Sequence, residues 1–274
     1  MTLLELKRRL AEGGMEEAAA EARVIFRSLG SSAEPPAPHT DSATMGIDEH
    51  ALQQALTRRL RREPLAYIVG ESYFYRERYR VTPDCLIPRP ETELLVAYAV
   101  RHLPPRAHFA DLCTGSGCVA ISTLAARPDC TAVALDLSEA ALTLAAQNAR
   151  DNGVADRLTL HRGDLLTQPF DPAPFDALLS NPPYIARDVL PTLSPELAFE
   201  PLMALDGGAD GLDFYRVLVR YAQIYIYKEG FCALEIGYDQ GDALRQLAAT
   251  HGLTARIQQD YAGHDRLAIL RCQP

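Results

Sequence analysis

From about residue 106 onward the chain alternates short apolar runs with stretches of helical period. No other feature constrains the fold as strongly, because alternating strand and helix is built as parallel strands joined by crossover helices. The candidate strands are "HFADLC" (108–113), "TAVALD" (131–136), "RLTLHRG" (157–163), "FDALLSN" (175–181), "GFCALEIG" (230–237), "TARIQQD" (254–260) and "RLAILR" (266–271). Helices are expected over 117–127, 138–152, 211–227 and 239–251, with Ser138 and Asp239 as N-caps. Several of the strands are apolar throughout rather than alternating, as happens when helices cover both faces of a sheet. The expected fold class is therefore α/β, a doubly wound, mostly parallel seven-stranded sheet.

The N-terminal part reads differently. Helical spacing is present over 2–12, 15–29 and 47–62, interrupted by "SSAEPPAPHTDSATMG" (31–46), which reads as a flexible loop with little to bury. Residues 1–72 are expected to form a small helical domain that binds substrate, and 73–85 a linker built on a β-hairpin in "YFYRERYRVT" (73–82). The remaining residues, 86–274, form the main domain, opening on "LIPRPETELLVAYAV" (86–100). There Pro90 suits the first turn of a helix, with Glu91 and Glu93 at its positive end.

Charge narrows the function. The chain carries 27 Lys and Arg against 36 Asp and Glu, a net charge of −9. A protein that holds duplex nucleic acid must neutralise several phosphates, so stable nucleic-acid binding is not expected. Arg58, Arg59, Arg61 and Arg62 form the one dense basic cluster, read either as a solvated helix end or as a surface for an acidic partner. No apolar run approaches the roughly 20 residues of a membrane helix, and the N-terminus has no apolar signal core. Six cysteines include no C-x-x-C pair, so neither a metal site nor a disulfide framework is indicated. A cytoplasmic monomer is the expectation.

The chemistry gathers at the ends of the first four candidate strands. "ADLCTGSGCVAI" (110–121) places Cys113, Thr114, Gly115, Ser116 and Gly117 between a strand and a helix, without the G-x-G-x-x-G of a dinucleotide fold. Asp111 before this turn would repel a pyrophosphate but suits a cationic amino group. Asp136 ends the next strand, where an acid commonly takes ribose hydroxyls. Asp164 and Leu165 end the third, an acid and an apolar residue that can receive an adenine. Each alone has a structural explanation as a tight turn or helix cap. Together they describe adenine, ribose and a zwitterionic tail without phosphate, which is S-adenosyl-L-methionine. The fourth strand ends on the same rim in Asn181-Pro182-Pro183-Tyr184, where Asn181 is a candidate cofactor contact as well.

The stretches "LIPRPETELL", "DLCTGSGCVAI", "VALDLS", "GDLL", "SNPPYI", "EPLMALDGGADGL", "LEIG" and "DYAGHDRLAIL" resemble the HemK/PrmC family. Its members are glutamine N5-methyltransferases of class 1 peptide chain release factors. The resemblance runs from about residue 60 to the C-terminus. It implies a class I S-adenosylmethionine-dependent methyltransferase fold, and a release factor as partner, modified on the glutamine of its Gly-Gly-Gln motif. The tetrapeptide by itself is shared with N6-adenine DNA methyltransferases. The glutamine methyltransferase of a large-subunit ribosomal protein shares "DLCTGSGC" as well. The stretches Pro90–Glu93 and Gly263–Arg266 favour the release-factor branch. Cys113 departs from the family, standing where many members have glycine.

In this reading Asn181 Oδ1 and the Pro182 carbonyl accept the two hydrogens of the target amide and aim its lone pair at the methyl. Pro183 keeps the segment rigid, and Tyr184 stacks on the planar amide. Arg89 and Glu235 are further candidates for substrate contact, as is Glu200. Each equally suits a structural ion pair or hydrogen bond. Tyr73, Phe74 and Tyr75 are either an aromatic wall for the glutamine or packing within the hairpin.

Overall fold

The computed structural model describes residues 1–31, 36–167 and 174–272. It divides into two compact units, Met1–Glu71 with Ser194–Phe199, and Ser72–Leu193 with Glu200–Pro274. Among the described residues no helix is long and apolar enough to cross a membrane.

The first unit holds helices α1 (Leu3–Glu12), α2 (Ala18–Leu29), α3 (Glu49–Leu60) and the short α4 (Leu65–Val69). Thr2 and Glu5 form a reciprocal capping box at the start of α1, satisfying two otherwise unpaired backbone N–H groups. Leu6, Leu10, Ile25, Phe26, Leu52 and Leu56 make the core. The stretch expected to be flexible is, over residues 36–46, tied down. Leu3 N–H donates to Thr40, Ser31 N–H to Met45 and Ile47 N–H to Ser42, at 2.8–2.9 Å. Met45, 4% exposed, fills the core, so this loop does bury something. Within the arginine cluster Arg61 is exposed, but the other three are held in ion pairs. Arg59, 8% exposed, pairs with Glu21 at 2.8 Å, while Arg62 pairs with Glu196 and Arg58 with Glu63.

From Glu71, the last residue of the first unit's main stretch, onward into the second unit, β1 (Glu71–Phe74) and β2 (Glu77–Arg80) form the hairpin, turning at Tyr75, which has φ +57°. Then come α5 (Glu93–His102), β3 (His108–Leu112), α6 (Cys118–Ala126), β4 (Thr131–Asp136), α7 (Glu139–Asp151), β5 (Leu158–Arg162) and β6 (Phe175–Ser180). The chain ends through α8 (Asp213–Tyr225), β7 (Ile226–Glu235), α9 (Gly241–Thr250), β8 (Leu253–Gln259) and β9 (Asp265–Cys272). The seven-stranded sheet has the order β5-β4-β3-β6-β7-β9-β8. Only the β7–β9 and β8–β9 pairings are antiparallel.

Along β3, Phe109 enters one core with Leu95, Ile121 and Leu124, whereas Ala110 and Leu112 enter the other with Tyr215, Leu218 and Leu244. Both faces are covered, which is why the strand reads as continuously apolar. Burying a side chain such as Phe109, 0% exposed, contributes about 2–3 kcal/mol over leaving it in water. Helix α7 is capped as expected, Ser138 Oγ accepting from Ala141 N–H at 3.1 Å. Asp239 is not the cap of α9. That position belongs to Gln240, whose side chain accepts from Gly237 N–H and donates to the carbonyls of Tyr184 and Gly211.

The chain runs outward from β3 to β4 and β5, then returns to place β6 on the other side of β3. This reversal opens a crevice at the carboxyl ends of β3 and β6, where open α/β sheets bind ligands.

Candidate active site

A cavity of about 350 Å³ occupies that crevice. Its wall includes Cys113, Thr114, Gly115 and Ser116 from the β3–α6 turn, Asp136 from β4, Asp164 and Leu165 after β5, Asn181 and Pro183 after β6, and Arg89. Ten of the residues expected from sequence thus meet around one space of ligand size. Asp111, Gly117, Pro182, Tyr184 and Glu235 do not line it directly.

The turn after β3 needs left-handed backbone, with φ +63° at Cys113, +54° at Gly115 and +83° at Gly117. Gly117 is the N-cap of α6, and a Cβ there would meet Ile121 at 2.7 Å. Cys113 adopts the same region with a side chain, at roughly 1–2 kcal/mol of steric cost. Glycine would remove that strain but adds unfolded-chain entropy of roughly 0.5–1 kcal/mol. Cys113→Gly is therefore expected to change unfolding free energy by less than about 1 kcal/mol, whereas the β-branched Cys113→Val is expected to cost more than about 2 kcal/mol. Chemical denaturation of the two variants checks this, and equal losses would contradict it.

Asp111 lies behind the wall, 1% exposed. Its Oδ2 accepts from the Thr114 hydroxyl at 2.6 Å and from Ala120 N–H at 3.1 Å, and its Oδ1 is buried with no hydrogen-bond partner among the described residues. Burial pushes its pKa up to about 7. Asp136 accepts from Gly115 N–H at 2.8 Å and Ser138 N–H at 2.9 Å, with burial raising its pKa against those bonds. Asp164 accepts from Leu166 N–H and the Thr167 hydroxyl. On Asp136 and Asp164 each carboxylate oxygen accepts one of these bonds and keeps a further lone pair, so these turn-stabilising bonds leave acceptor capacity on the rim.

Beyond β6, no hydrogen bond reaches the Pro182 carbonyl among the described residues. Asn181 Nδ2 donates to Thr92 Oγ1 at 3.0 Å, and the Thr92 hydroxyl lies 2.5 Å from Glu235 Oε2. Glu235, 2% exposed at the end of β7, has its pKa pushed up to about 7 by burial. Tyr184 Oη lies 3.5 Å from Glu235 Oε1. Burial and that neighbour push the phenol to about 12, so it is neutral. The two prolines are buried, which fixes the segment between the sheet and the cavity.

Arg89 pairs with the buried Glu200, whose carboxylate also accepts from Ile87 N–H at 3.0 Å. That pair ties the wall residues Leu86–Arg89 to the stretch that supplies Pro201, Met203 and Ala204 to the wall. Of the aromatic triplet, none lines the cavity. Phe74 packs edge-on to Tyr79 in the core, and Tyr73 is 75% exposed. Thr92 is the residue that sequence reading passed over. It stands in "IPRPETE", a stretch singled out for specificity, but its partners lie 89 and 143 residues away.

The methyltransferase small domain family model matches residues 91–193. A release factor glutamine methyltransferase from Cereibacter sphaeroides is 42% identical over 96% of this chain and 94% of its own length. One from Moorella thermoacetica is 41% identical with the same coverage. Among solved structures, a methyltransferase from Pyrococcus furiosus aligns over 70% of this chain and 86% of its own, with a TM-score of 0.54 and 16% identity, a likeness of fold.

Proposed function

The chain belongs to the release factor glutamine methyltransferase family, and from that premise we propose that it transfers a methyl group from S-adenosyl-L-methionine to the side-chain amide nitrogen (N5) of a release-factor glutamine. The target is the glutamine of the Gly-Gly-Gln motif of class 1 peptide chain release factors. The observation carrying this reading is the rigid Asn181–Tyr184 exit beside the cavity, with a Pro182 carbonyl unpaired among the described residues and an anchored Asn181 amide.

The cavity suits the cofactor on its own evidence. Asp111 Oδ1, buried behind the Cys113–Ser116 wall with no hydrogen-bond partner among the described residues, is an acceptor that a cationic amino group reaching through that turn would satisfy. Asp136 on the cavity wall suits ribose hydroxyls, and Asp164 with the buried Leu165 suits adenine. When bound, the cofactor supplies a methyl on a sulfonium, an electrophile strong enough for a weak nucleophile.

The protein's part is positioning and electrostatics. An amide nitrogen attacks poorly because its lone pair is delocalised into the carbonyl. Asn181 Oδ1 and the Pro182 carbonyl hold its two hydrogens and aim the lone pair. As positive charge grows on nitrogen, both acceptors bind it more strongly, so their contribution is larger in the transition state than in the ground state. Tyr184, held neutral, offers a ring face rather than a base. The proton leaves after transfer, so no general base is assigned. Residues 1–72 are the proposed grip on the protein substrate.

Offering the purified protein labelled S-adenosylmethionine with a class 1 release factor, a large ribosomal subunit and duplex DNA tests the substrate class. Label is expected in the release factor alone. Label in a ribosomal protein or in DNA would overturn the assignment.

A further inference from the structure

Asn181 can serve as an acceptor only if its amide faces the right way, and shape does not decide that. The oxygen and nitrogen of a carboxamide are nearly the same size, so the hydrogen bonds around it set the orientation. Here they form a chain of three groups. Glu235 in its ionised form, present in part at neutral pH with its pKa raised to about 7, has only lone pairs to offer. The single hydrogen of the Thr92 hydroxyl goes to it across 2.5 Å. Thr92 then has only lone pairs left for Asn181, which must answer with N–H, and Nδ2 lies 3.0 Å away. The Asn181 oxygen is thereby directed to the opposite side.

We propose that Thr92, anchored by Glu235, is a positioning residue that fixes the Asn181 carboxamide with its oxygen toward the target amide. Two further observations support this. Thr92 immediately precedes α5, where a threonine commonly caps the helix, yet its hydroxyl makes no capping bond. It is spent on Glu235 instead. Thr92 and Glu235 are also 1% and 2% exposed, so water does not compete for either group. Without the hydroxyl, Asn181 is free to turn its N–H groups toward the substrate's own N–H groups, which repel.

The inference rests on the methyl-transfer reading above, and the test separates the two. Wild type, Thr92→Val, Thr92→Ser and Glu235→Gln are compared for kcat, KM and cofactor affinity on a release factor. Thr92→Val keeps the shape but not the hydroxyl, and is expected to lose kcat roughly 100-fold, with KM and cofactor Kd within a few-fold. Thr92→Ser restores most of the rate. Glu235→Gln also lowers kcat, and the Thr92→Val, Glu235→Gln double variant is no slower than Thr92→Val alone, because both act through one orientation. Should Thr92→Val fail to fold, Glu235→Gln carries the same expectation by itself. Unchanged kcat in Thr92→Val or Glu235→Gln, parallel loss of kcat and cofactor binding, or a Thr92→Ser as slow as Thr92→Val would overturn the proposal. An inactive wild type would instead remove the reading beneath it.

Discussion

Asn181→Ala is expected to lose roughly 100- to 1000-fold in turnover while binding S-adenosylmethionine within a few-fold of wild type. The loss is large because one of two acceptors for the amide hydrogens disappears, leaving the Pro182 carbonyl to orient the nucleophile alone. Nothing replaces it, since water in the vacated space reorients freely and cannot be preorganised. Cofactor affinity is largely spared because most of the residues assigned to it stand on other strand ends, Cys113–Ser116 after β3, Asp136 on β4 and Asp164 after β5. Single-turnover kinetics with equilibrium cofactor titration checks both halves. A variant within tenfold of wild-type turnover, or one losing cofactor binding in proportion, would contradict the acceptor role.

The second large effect is expected at Gly207. A Cβ there would lie 2.7 Å from Tyr184 Cα and 2.8 Å from its carbonyl carbon, both backbone atoms that cannot rotate away. Gly211 closes on the same residue, its Cβ position 2.5 Å from the Tyr184 carbonyl oxygen. The segment 205–211 thus runs against 184–187, with Ile185 N–H donating to Leu205 and Gly207 N–H to Ile185 at 3.0 and 2.9 Å. Gly207→Ala must displace Tyr184 and the rigid exit with it, for roughly 100-fold in kcat and about 1–3 kcal/mol of stability. Gly252→Ala is the control. It has φ +69° but open space around it, so it is expected to cost about 1 kcal/mol of strain and no activity. Wild-type turnover in Gly207→Ala would show that this contact does not hold the site.

That coupling explains why "SNPPYI" and "EPLMALDGGADGL" occur together. The sequence displays both as motifs, but only the fold lays one against the other. The strands were legible because β3, β6 and β7 bury alternate residues in opposite cores, which writes a continuous apolar run. Their carboxyl ends followed, so Asp136, Asp164 and Asn181 could be placed on one rim from the chain alone. What escaped were contacts between distant residues. Thr92 looks like any threonine at a helix start until β6 and β7 bring Asn181 and Glu235 to it. Asp111 sits at the right strand end but faces inward, held by Thr114 and Ala120. Arg59 and Arg62 read as a solvated helix end or a surface for an acidic partner because Glu21 and Glu196 are far off in sequence. Gln240 displaced Asp239 as the cap of α9 because its side chain bridges Gly237, Tyr184 and Gly211. Hydrophobic period reports which face is buried; it does not report which polar partner arrives there.

The most direct test is fragmentation mass spectrometry of a class 1 release factor after incubation with this protein and S-adenosylmethionine. The account predicts a gain of one CH2 unit on the glutamine of the Gly-Gly-Gln motif, with fragment ions assigning it to the side-chain amide nitrogen. A methyl on any other residue of the release factor, or an unmodified glutamine after complete incubation, would contradict it.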